Sequence, residues 1–355
     1  MRQSIITCPD CGAQRVAGDQ ACPYCGLVIE YDLSGEIERP NKIRTMSIAA
    51  LYADAIGIAA VALNFGLQTI SHNNTASVFT SFDCTVVPIS VGFIVAFATR
   101  KHTLTAKDIF LSTLMACGYA FVGAIVLFQE GVLCILIAFP LLYVLLLIGV
   151  AVGKVVFLTP RPRLNMSFAP LILFLLVADG LSTHSYTAQV SDTIVVNARA
   201  SDIWPYLASY PPVTEPQHYW LWSIGLPKPI QSVSTQPRLG GERTCLLTGN
   251  TVLKERISQF TPDANFTFDI VSQKGDLELV RHLVVHRGQF ILKQNANGTT
   301  TVTGTTWYDL KVFPGWYFNF WATDVVRHVH LAVMQHIANL AEARAAQHIL
   351  AEPAH

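Results

Sequence analysis

The sequence predicts a multidomain membrane protein with three parts: a small four-cysteine zinc ribbon, an α-helical transmembrane bundle of about five spans, and an α+β domain. In that domain a curved antiparallel sheet holds a long C-terminal helix. Three observations predict this architecture. Four of the eight cysteines lie within the first 25 residues. Charged side chains form 14% of the chain, against about 25% in an ordinary soluble protein, and they nearly vanish between Met46 and Tyr186. Beyond Ser191, short alternating strands precede one long amphipathic helix.

The N-terminal segment, residues 1–30, contains two Cys-x-x-Cys pairs, Cys8 with Cys11 and Cys22 with Cys25. Four thiolates at this spacing are typical of a tetrahedral Zn²⁺ site. A closed set of four cysteines leaves no open coordination position, so we expect Zn²⁺ to be a structural cofactor that supplies folding free energy. Disulfides or a redox motif are the alternative, which a cytoplasmic location disfavours. The segment resembles the zinc-ribbon heads of bacterial membrane proteins, and a protein partner of the ribbon is one expectation.

A polar linker at residues 31–45 leads into an apolar section at residues 46–188. A run of about 20 apolar residues is long enough to cross a bilayer. We predict spans at residues 47–70, 77–99, 109–128, 132–157 and 168–187. Asn64 and Gln68 share one face of the first span, and we expect them to form interhelical hydrogen bonds. Asp54 and Asp179 are expected at the membrane interface.

Lysine and arginine are distributed unevenly over the connections between the spans. Eight of them lie in the linker and in the loops after the second and fourth spans, and a ninth, Lys154, lies near the end of the fourth span. The other two loops contain none. Basic residues concentrate on the cytoplasmic side. The pattern, with no signal peptide recognised before the first span, predicts an integral protein of the cell (inner) membrane, with a cytoplasmic N-terminus and an extracytoplasmic C-terminal domain. The alternative is four spans, with residues 168–187 in the interface and the C-terminal domain in the cytoplasm. A formal net charge of zero argues against a nucleic-acid partner.

The C-terminal domain is predicted at residues 191–346, with a tail at 347–355. A strand at residues 192–198 and a short helix precede about six further strands and a helix from about residue 317 to 346. Asn297-Gly298 predicts a hairpin turn between the last two strands. A curved sheet closed by one helix leaves a cavity lined by inward side chains, which is a usual kind of hydrophobic-ligand site.

Several short strings in residues 193–341 carry a resemblance to a known family. They lie at residues 194–198, 202–204, 224–227, 240–243, 288–292, 304–308 and 329–330. They resemble the START-like helix-grip superfamily, specifically its polyketide cyclase/dehydrase and lipid-transport (SRPBCC) group. The resemblance implies a helix-grip domain that binds a lipid or other hydrophobic small molecule, and that in some members also performs chemistry.

The candidate site residues are aromatic, charged or imidazole side chains of this domain. The candidates for a ligand cavity are Trp204, Arg243, Glu255, Phe290, Trp307, Tyr308, Trp321 and His330. Arg243 and Glu255 lie on neighbouring strands and are expected to pair, either inside the cavity or exposed on the sheet. The weak catalytic candidates are His330, His328 and Asp324, because Asp324 and His328 stand at i, i+4 on one helix face.

Three functional hypotheses follow, and the lack of a nucleophile elbow, a phosphate loop or a second metal set leans against an enzyme. The first is membrane-tethered binding or transfer of a lipid or other hydrophobic small molecule, with the lipid bilayer as a partner. The second is a sensor or assembly scaffold that links an external ligand to a cytoplasmic partner. The third is a cyclase/dehydratase-like enzyme, which requires a buried acid–base pair in the cavity.

Overall fold

The computed structural model describes residues 5–7, 13–16, 22, 42–72, 77–100, 105–157, 168–182, 185–275 and 281–351. The chain divides into two compact units, Met1–Ser182 and Thr183–His355. At the start of the first unit, β1 (Ile5–Thr7) pairs antiparallel with β2 (Gln14–Val16). Of the four predicted zinc ligands, Cys22 is buried, and Cys8, Cys11 and Cys25 lie outside the described residues.

The apolar section folds into helices. They are α1 (Lys42–His72), α2 (Val87–Ala98), α3 (Ala106–Phe128), α4 (Val132–Phe157) and α5 (Phe168–Gly180), and a π-helical turn at Phe82–Val86 leads into α2. Within the part of the chain that the structure describes, three helices are long and apolar enough to cross a membrane: α1, α3 and α4. The apolar segments Phe82–Ala98 and Pro170–Gly180 are shorter. The count of five spans therefore stays a prediction, and the last predicted span is helical only as far as Gly180.

Glycines bring α2 and α4 into contact backbone to backbone. A Cβ atom on Gly92 would lie 2.1 Å from the carbonyl oxygen of Leu146, and one on Gly149 would lie 2.1 Å from the carbonyl oxygen of Ile89. One turn after Gly149, a Cβ atom on Gly153 would lie 2.6 Å from the methyl group of an alanine on α2. Small residues in this pattern let helices approach closely in membranes, where van der Waals packing replaces the hydrophobic effect.

A buried polar cluster joins α1 to the π-helical turn and to the end of α5. The Nδ2 atom of Asn64 lies 3.0 Å from Thr80 Oγ1, 3.0 Å from Asp83 Oδ2 and 3.0 Å from Asp179 Oδ2. These contacts connect three segments that are far apart in sequence. They are therefore positioned to fix how the segments pack.

Two expectations about polar residues in the apolar section have different outcomes. The interhelical hydrogen bonds of Asn64 are confirmed. Gln68 instead exchanges two 3.1 Å hydrogen bonds with the backbone of Ser77, which is not in a helix, so the expectation of an interhelical bond is wrong for Gln68. The interfacial placement of Asp54 and Asp179 stays a prediction, and both side chains are buried within the unit. For Asp179, the hydrogen bond from Asn64 compensates the burial of the carboxyl group.

The second unit contains a seven-stranded antiparallel sheet with the strand order β3-β9-β8-β7-β6-β5-β4. Its strands are β3 (Tyr186–Val196), β4 (Pro229–Ser234), β5 (Glu242–Leu247), β6 (Val252–Thr261), β7 (Asn265–Lys274), β8 (Leu283–Gln294) and β9 (Thr300–Leu310). The helices are α6 (Ala200–Ala208), α7 (Trp220–Ser223) and α8 (Gly315–Ala351). The strand predicted at residues 192–198 begins earlier, because β3 pairs with β9 from Tyr186 onward.

The sheet curls around α8, which gives the helix-grip architecture that the sequence predicts. Register shifts interrupt the regular pairing between β6 and β7 and between β8 and β9. Interruptions of this kind, of which β-bulges are the common form, bend strands and increase their twist. The side chains of α6, α8 and the inner sheet face then form one core, with Ile203, Phe266, Val302, Met334 and Ile337 among its most buried members. Inner-face side chains nearer the start of α8 leave a space that is not filled by this core.

Candidate functional site

A cavity of about 150 Å³ lies between the sheet and α8, and we call it the chamber. The empty space around it, counting the part open to solvent, is about 1020 Å³. Most of the wall is apolar, and its members include Leu253, Phe268, Ile270, Phe290, Val326 and Val329. An apolar wall with a few convergent polar groups is the usual composition of a small-molecule site.

The first polar group of the wall is a buried ion pair between Arg243 on β5 and Glu255 on β6. The two residues are directly opposite in the sheet register, and their side chains are 3% and 2% exposed. Arg243 Nη1 donates to Glu255 Oε2, and Arg243 Nε donates to the carbonyl oxygen of Ala208 at 3.2 Å. The guanidinium carbon lies 4.6 Å from the centre of the Phe268 ring. Of the two arrangements that the sequence allows, the pair is inside the chamber wall.

Burial and the charge of the partner shift the pKa of each member of this pair in opposite directions. Burial by itself lowers the pKa of Arg243, but the neighbouring Glu255 charge outweighs it, and the pKa of Arg243 is raised. Burial raises the pKa of Glu255, and the Arg243 charge offsets only part of that rise. Arginine thus stays charged at any ordinary pH, and glutamate is the member of the pair that can take up a proton.

The second polar group is a hydrogen-bonded chain of three side chains, which we call the relay: Thr306 on β9, His330 on α8 and Asp192 on β3. Thr306 and His330 line the chamber. Thr306 Oγ1 lies 2.7 Å from His330 Nε2, and His330 Nδ1 lies 2.9 Å from Asp192 Oδ2. The other carboxylate oxygen of Asp192 accepts a 2.9 Å hydrogen bond from Arg327 Nε. Of the three residues of the relay, only His330 is among the candidates that the sequence predicts.

The protonation of the relay follows from its acceptors. A carboxylate only accepts, so the proton of a neutral His330 ring resides on Nδ1 and points at Asp192. Burial lowers the pKa of His330 below its ordinary value of 6.5, and the Asp192 charge reverses only part of this. The ring is therefore neutral at pH 7. Its Nε2 lone pair accepts the hydroxyl proton of Thr306.

The other pair of catalytic candidates, Asp324 and His328, stands outside the chamber lining. The expected i, i+4 approach is present, with 3.6 Å between His328 Nδ1 and Asp324 Oδ1. The same Nδ1 lies 2.8 Å from the Asp324 carbonyl oxygen, and the imidazole stacks on the Tyr219 ring at 3.8 Å. Tyr219 Oη donates to Asp324 Oδ2 at 2.6 Å. These contacts clamp the start of α7 against α8.

The cavity candidates divide into two groups. Four of them line the chamber: Arg243, Glu255, Phe290 and His330. The other four, Trp204, Trp307, Tyr308 and Trp321, are not part of its lining. Trp204 packs edge-on against Phe260 at 5.0 Å, and Tyr308 is fully buried with its Oη donating to Asn319 at 2.9 Å. A role for any of these residues in ligand binding stays a prediction.

No protein-family model matches the chain, and no curated protein matches it. Among solved structures, a protein from Nitrosospira multiformis is 14% identical, with 44% of this chain and 99% of that chain covered and a TM-score of 0.31. A truncated norcoclaurine synthase from Thalictrum flavum is 13% identical, with 45% and 96% covered and a TM-score of 0.32. The Zhui aromatase/cyclase from Streptomyces sp. R1128 is 14% identical, with 45% and 96% covered and a TM-score of 0.32. Similarities at these values carry no functional argument.

Proposed function

We propose that the C-terminal domain binds a lipid or another hydrophobic small molecule in the chamber, and that the apolar helices tether this domain to the membrane. The observation that carries the proposal is the chamber itself, a largely apolar cavity in the grip of a curled sheet and one helix. A mainly apolar space of about 150 Å³ holds a group the size of a benzene ring. The adjoining open space takes the rest of a larger ligand.

The polar groups of the wall restrict the class of ligand. The mainly apolar lining contains the ion pair of Arg243 and Glu255 and the relay residues Thr306 and His330. It also contains uncharged polar side chains, among them Thr251, Gln273, Gln289 and Thr305. Each apolar wall atom removed from water by a ligand contributes to affinity, whereas polar atoms mainly fix orientation. The ligand that fits has an apolar body and at least one polar group.

The test compares two tryptophan variants of α8. Val329 lines the chamber, so Val329→Trp fills it. Leu331, two residues later, is 40% exposed and is not part of the lining, so Leu331→Trp is the matched control. Each full-length protein is purified in detergent, and its copurifying apolar molecules are extracted and identified by mass spectrometry. We expect a bound molecule in the wild type and in Leu331→Trp, and its loss in Val329→Trp. A wild type that carries none, or equal retention in both variants, contradicts the proposal.

For the tether we propose five spans, a cytoplasmic N-terminus and an extracytoplasmic C-terminal domain. The support is the set of three helices of spanning length together with the uneven distribution of lysine and arginine. Reporter fusions after residues 40, 104 and 182 test it, because each lies outside a described helix or strand. A reporter that works only outside the cytoplasm should be active after residue 182 alone. A cytoplasmic signal there removes the fifth span and places the chamber in the cytoplasm.

For the N-terminal head we propose one structural Zn²⁺ held by Cys8, Cys11, Cys22 and Cys25. The support is the duplicated Cys-x-x-Cys spacing, the hairpin of β1 and β2 on either side of the first pair, and the burial of Cys22. Elemental analysis of the purified chain should find one zinc per chain, lost in Cys22→Ser and kept in Cys134→Ser. Zinc that survives Cys22→Ser contradicts the proposed ligand set.

A further inference from the structure

The relay differs in its surroundings from two other histidine–carboxylate contacts of the domain. His336 Nδ1 lies 2.7 Å from Glu215 and its Nε2 lies 3.1 Å from the Pro211 carbonyl oxygen, so both ring nitrogens face acceptors. His286 pairs with Asp309 at 2.9 Å, but its side chain is half exposed. Only in the relay, among these three contacts, does a buried imidazole join a carboxylate on one side and a hydroxyl in a cavity wall on the other.

This arrangement is the one that activates a hydroxyl as a nucleophile. Activation needs a base within hydrogen-bond reach of the hydroxyl and a third group that orients the base. His330 Nε2 meets the first requirement toward Thr306, and Asp192 meets the second through His330 Nδ1. Asp192 is itself fixed by Arg327. The geometry points to an acyl-transfer site in the chamber, in which Thr306 Oγ1 accepts the acyl group of an apolar carboxylic ester or thioester.

The other nucleophile in the lining does not compete with Thr306. Cys245 also lines the chamber, but burial, with the nearby charge of Glu255, raises the pKa of its thiol to about 11. The thiolate is the reactive form of cysteine, so this side chain is inert near neutral pH. The Thr306 hydroxyl needs no prior ionisation, because His330 takes its proton as the new bond forms.

Thr306 Oγ1 attacks the carbonyl carbon of the ester, and its proton passes to His330 Nε2, where the charge of Asp192 stabilises the imidazolium. The bond from the carbonyl carbon to the leaving oxygen or sulfur breaks, and the leaving group takes the proton from Nε2. The products are a Thr306 ester and a free alcohol or thiol. Both His330 and Asp192 return to their starting states.

We expect this acylation to be slow. A positioned general base contributes about 10²–10⁴ in rate. An oxyanion donor adds about 10²–10³, but the strand that carries Thr306 is paired on both sides, with Val190 of β3 and Gly288 of β8 opposite it. Its backbone N–H groups are thus committed to the sheet. The appropriate readout is therefore the covalent product and not the turnover.

The experiment treats the full-length protein in detergent with 4-nitrophenyl butyrate, an activated ester with a short apolar acyl group. We expect release of one equivalent of nitrophenolate and a butyryl group on the peptide that contains Thr306. Thr306→Val removes the hydroxyl and should abolish both signals, while Thr306→Ser restores them. His330→Gln should slow acylation by about 10²-fold or more. His286→Gln, which alters an exposed His–Asp pair, is the matched control and should leave the rate unchanged.

Three results overturn the inference. They are a butyryl group found only elsewhere on the chain, an unchanged rate in His330→Gln, and a rate that does not fall at acid pH as His330 takes up a proton. A purely structural role of the relay lowers stability in these variants but predicts none of the covalent signals. The inference rests on the proposed function because the ester occupies the same chamber. If the wild type carries an apolar ligand and is not acylated, acyl transfer fails and ligand binding stands; if it does neither, both fail.

Discussion

The buried ion pair of Arg243 and Glu255 gives a specific prediction about stability. When its partner is removed, the glutamate can become neutral by binding a proton, whereas the arginine stays charged. Glu255→Gln keeps the size of the side chain and removes only its charge. It leaves the Arg243 guanidinium buried at 3% exposure with no counter-charge from Glu255, and arginine cannot lose its proton in a protein. Removing one partner of a buried pair costs about 3–5 kcal/mol.

The reciprocal change, Arg243→Met, should cost less. Burial already raises the pKa of Glu255, so without Arg243 the carboxyl escapes the cost of a buried charge by binding a proton. Replacing both members with apolar residues, Arg243→Met with Glu255→Leu, should be neutral or stabilising by about 1–4 kcal/mol. We therefore expect the order Glu255→Gln, Arg243→Met and double variant from least to most stable. The gap between the two single variants should narrow at higher pH.

Tryptophan fluorescence measures this domain selectively, because all six tryptophans of the chain lie between Trp204 and Trp321. Thermal unfolding of the full-length protein in detergent can thus be followed without interference from the apolar helices. At about 2–4 °C per kcal/mol for a unit of this size, Glu255→Gln should lower the Tm by about 6–20 °C. A Tm within about 2 °C of the wild type, or a double variant no better than Glu255→Gln, would refute the reasoning.

Three further predictions concern other parts of the molecule. In Gly149→Leu, the new Cβ atom would lie 2.1 Å from the carbonyl oxygen of Ile89, so α2 and α4 must separate. We therefore expect limited proteolysis in detergent to cleave this variant faster than the control Gly118→Leu, because a Cβ atom on Gly118 has no neighbour within 4 Å. Because burial lowers the pKa of His330 below 6.5, the unfolded chain binds this proton more readily than the folded domain. The contribution of neutral His330 to the free energy of unfolding is thus complete above pH 6.5 and is lost as the pH falls through the lowered pKa. His330→Gln should therefore make the Tm depend less on pH below pH 6.5. Tyr219→Phe removes the hydrogen bond to Asp324 and should lower the free energy of unfolding by about 0.5–1.5 kcal/mol in the same assay. A change near zero would mean that this contact between α7 and α8 contributes no stability.

Local patterns predicted those elements whose sequence signal lies within the element itself. The apolar run at residues 132–157 coincides with α4, and the long C-terminal amphipathic pattern lies within α8. Features that depend on a distant partner were not predictable in this way. The contact of Gly92 with α4 needs the crossing of two helices, and the early start of β3 at Tyr186 needs β9 beside it. Neither partner is visible in the local sequence.

The relay in the candidate site likewise depends on contacts between distant residues, which local sequence patterns do not predict. The sequence predicts Asp324 and His328 as a pair because their i, i+4 spacing can be recognised within one helix. These side chains are, however, 41% and 35% exposed, and water weakens any charge interaction between them. The partner that actually buries a carboxylate against an imidazole of this helix is Asp192, 138 residues away in sequence from His330. It arrives because β3 pairs with β9 and both pack beneath α8, which puts Thr306 and Asp192 on the face toward the helix. With side chains only 8% and 9% exposed, the imidazole and the carboxylate interact where the effective dielectric constant is lower than in water, so their interaction is stronger than that of the exposed pair. In a chain of this fold, the histidines of the last helix should therefore be compared first with carboxylates on the first strand of the sheet, and only then with neighbours along the helix.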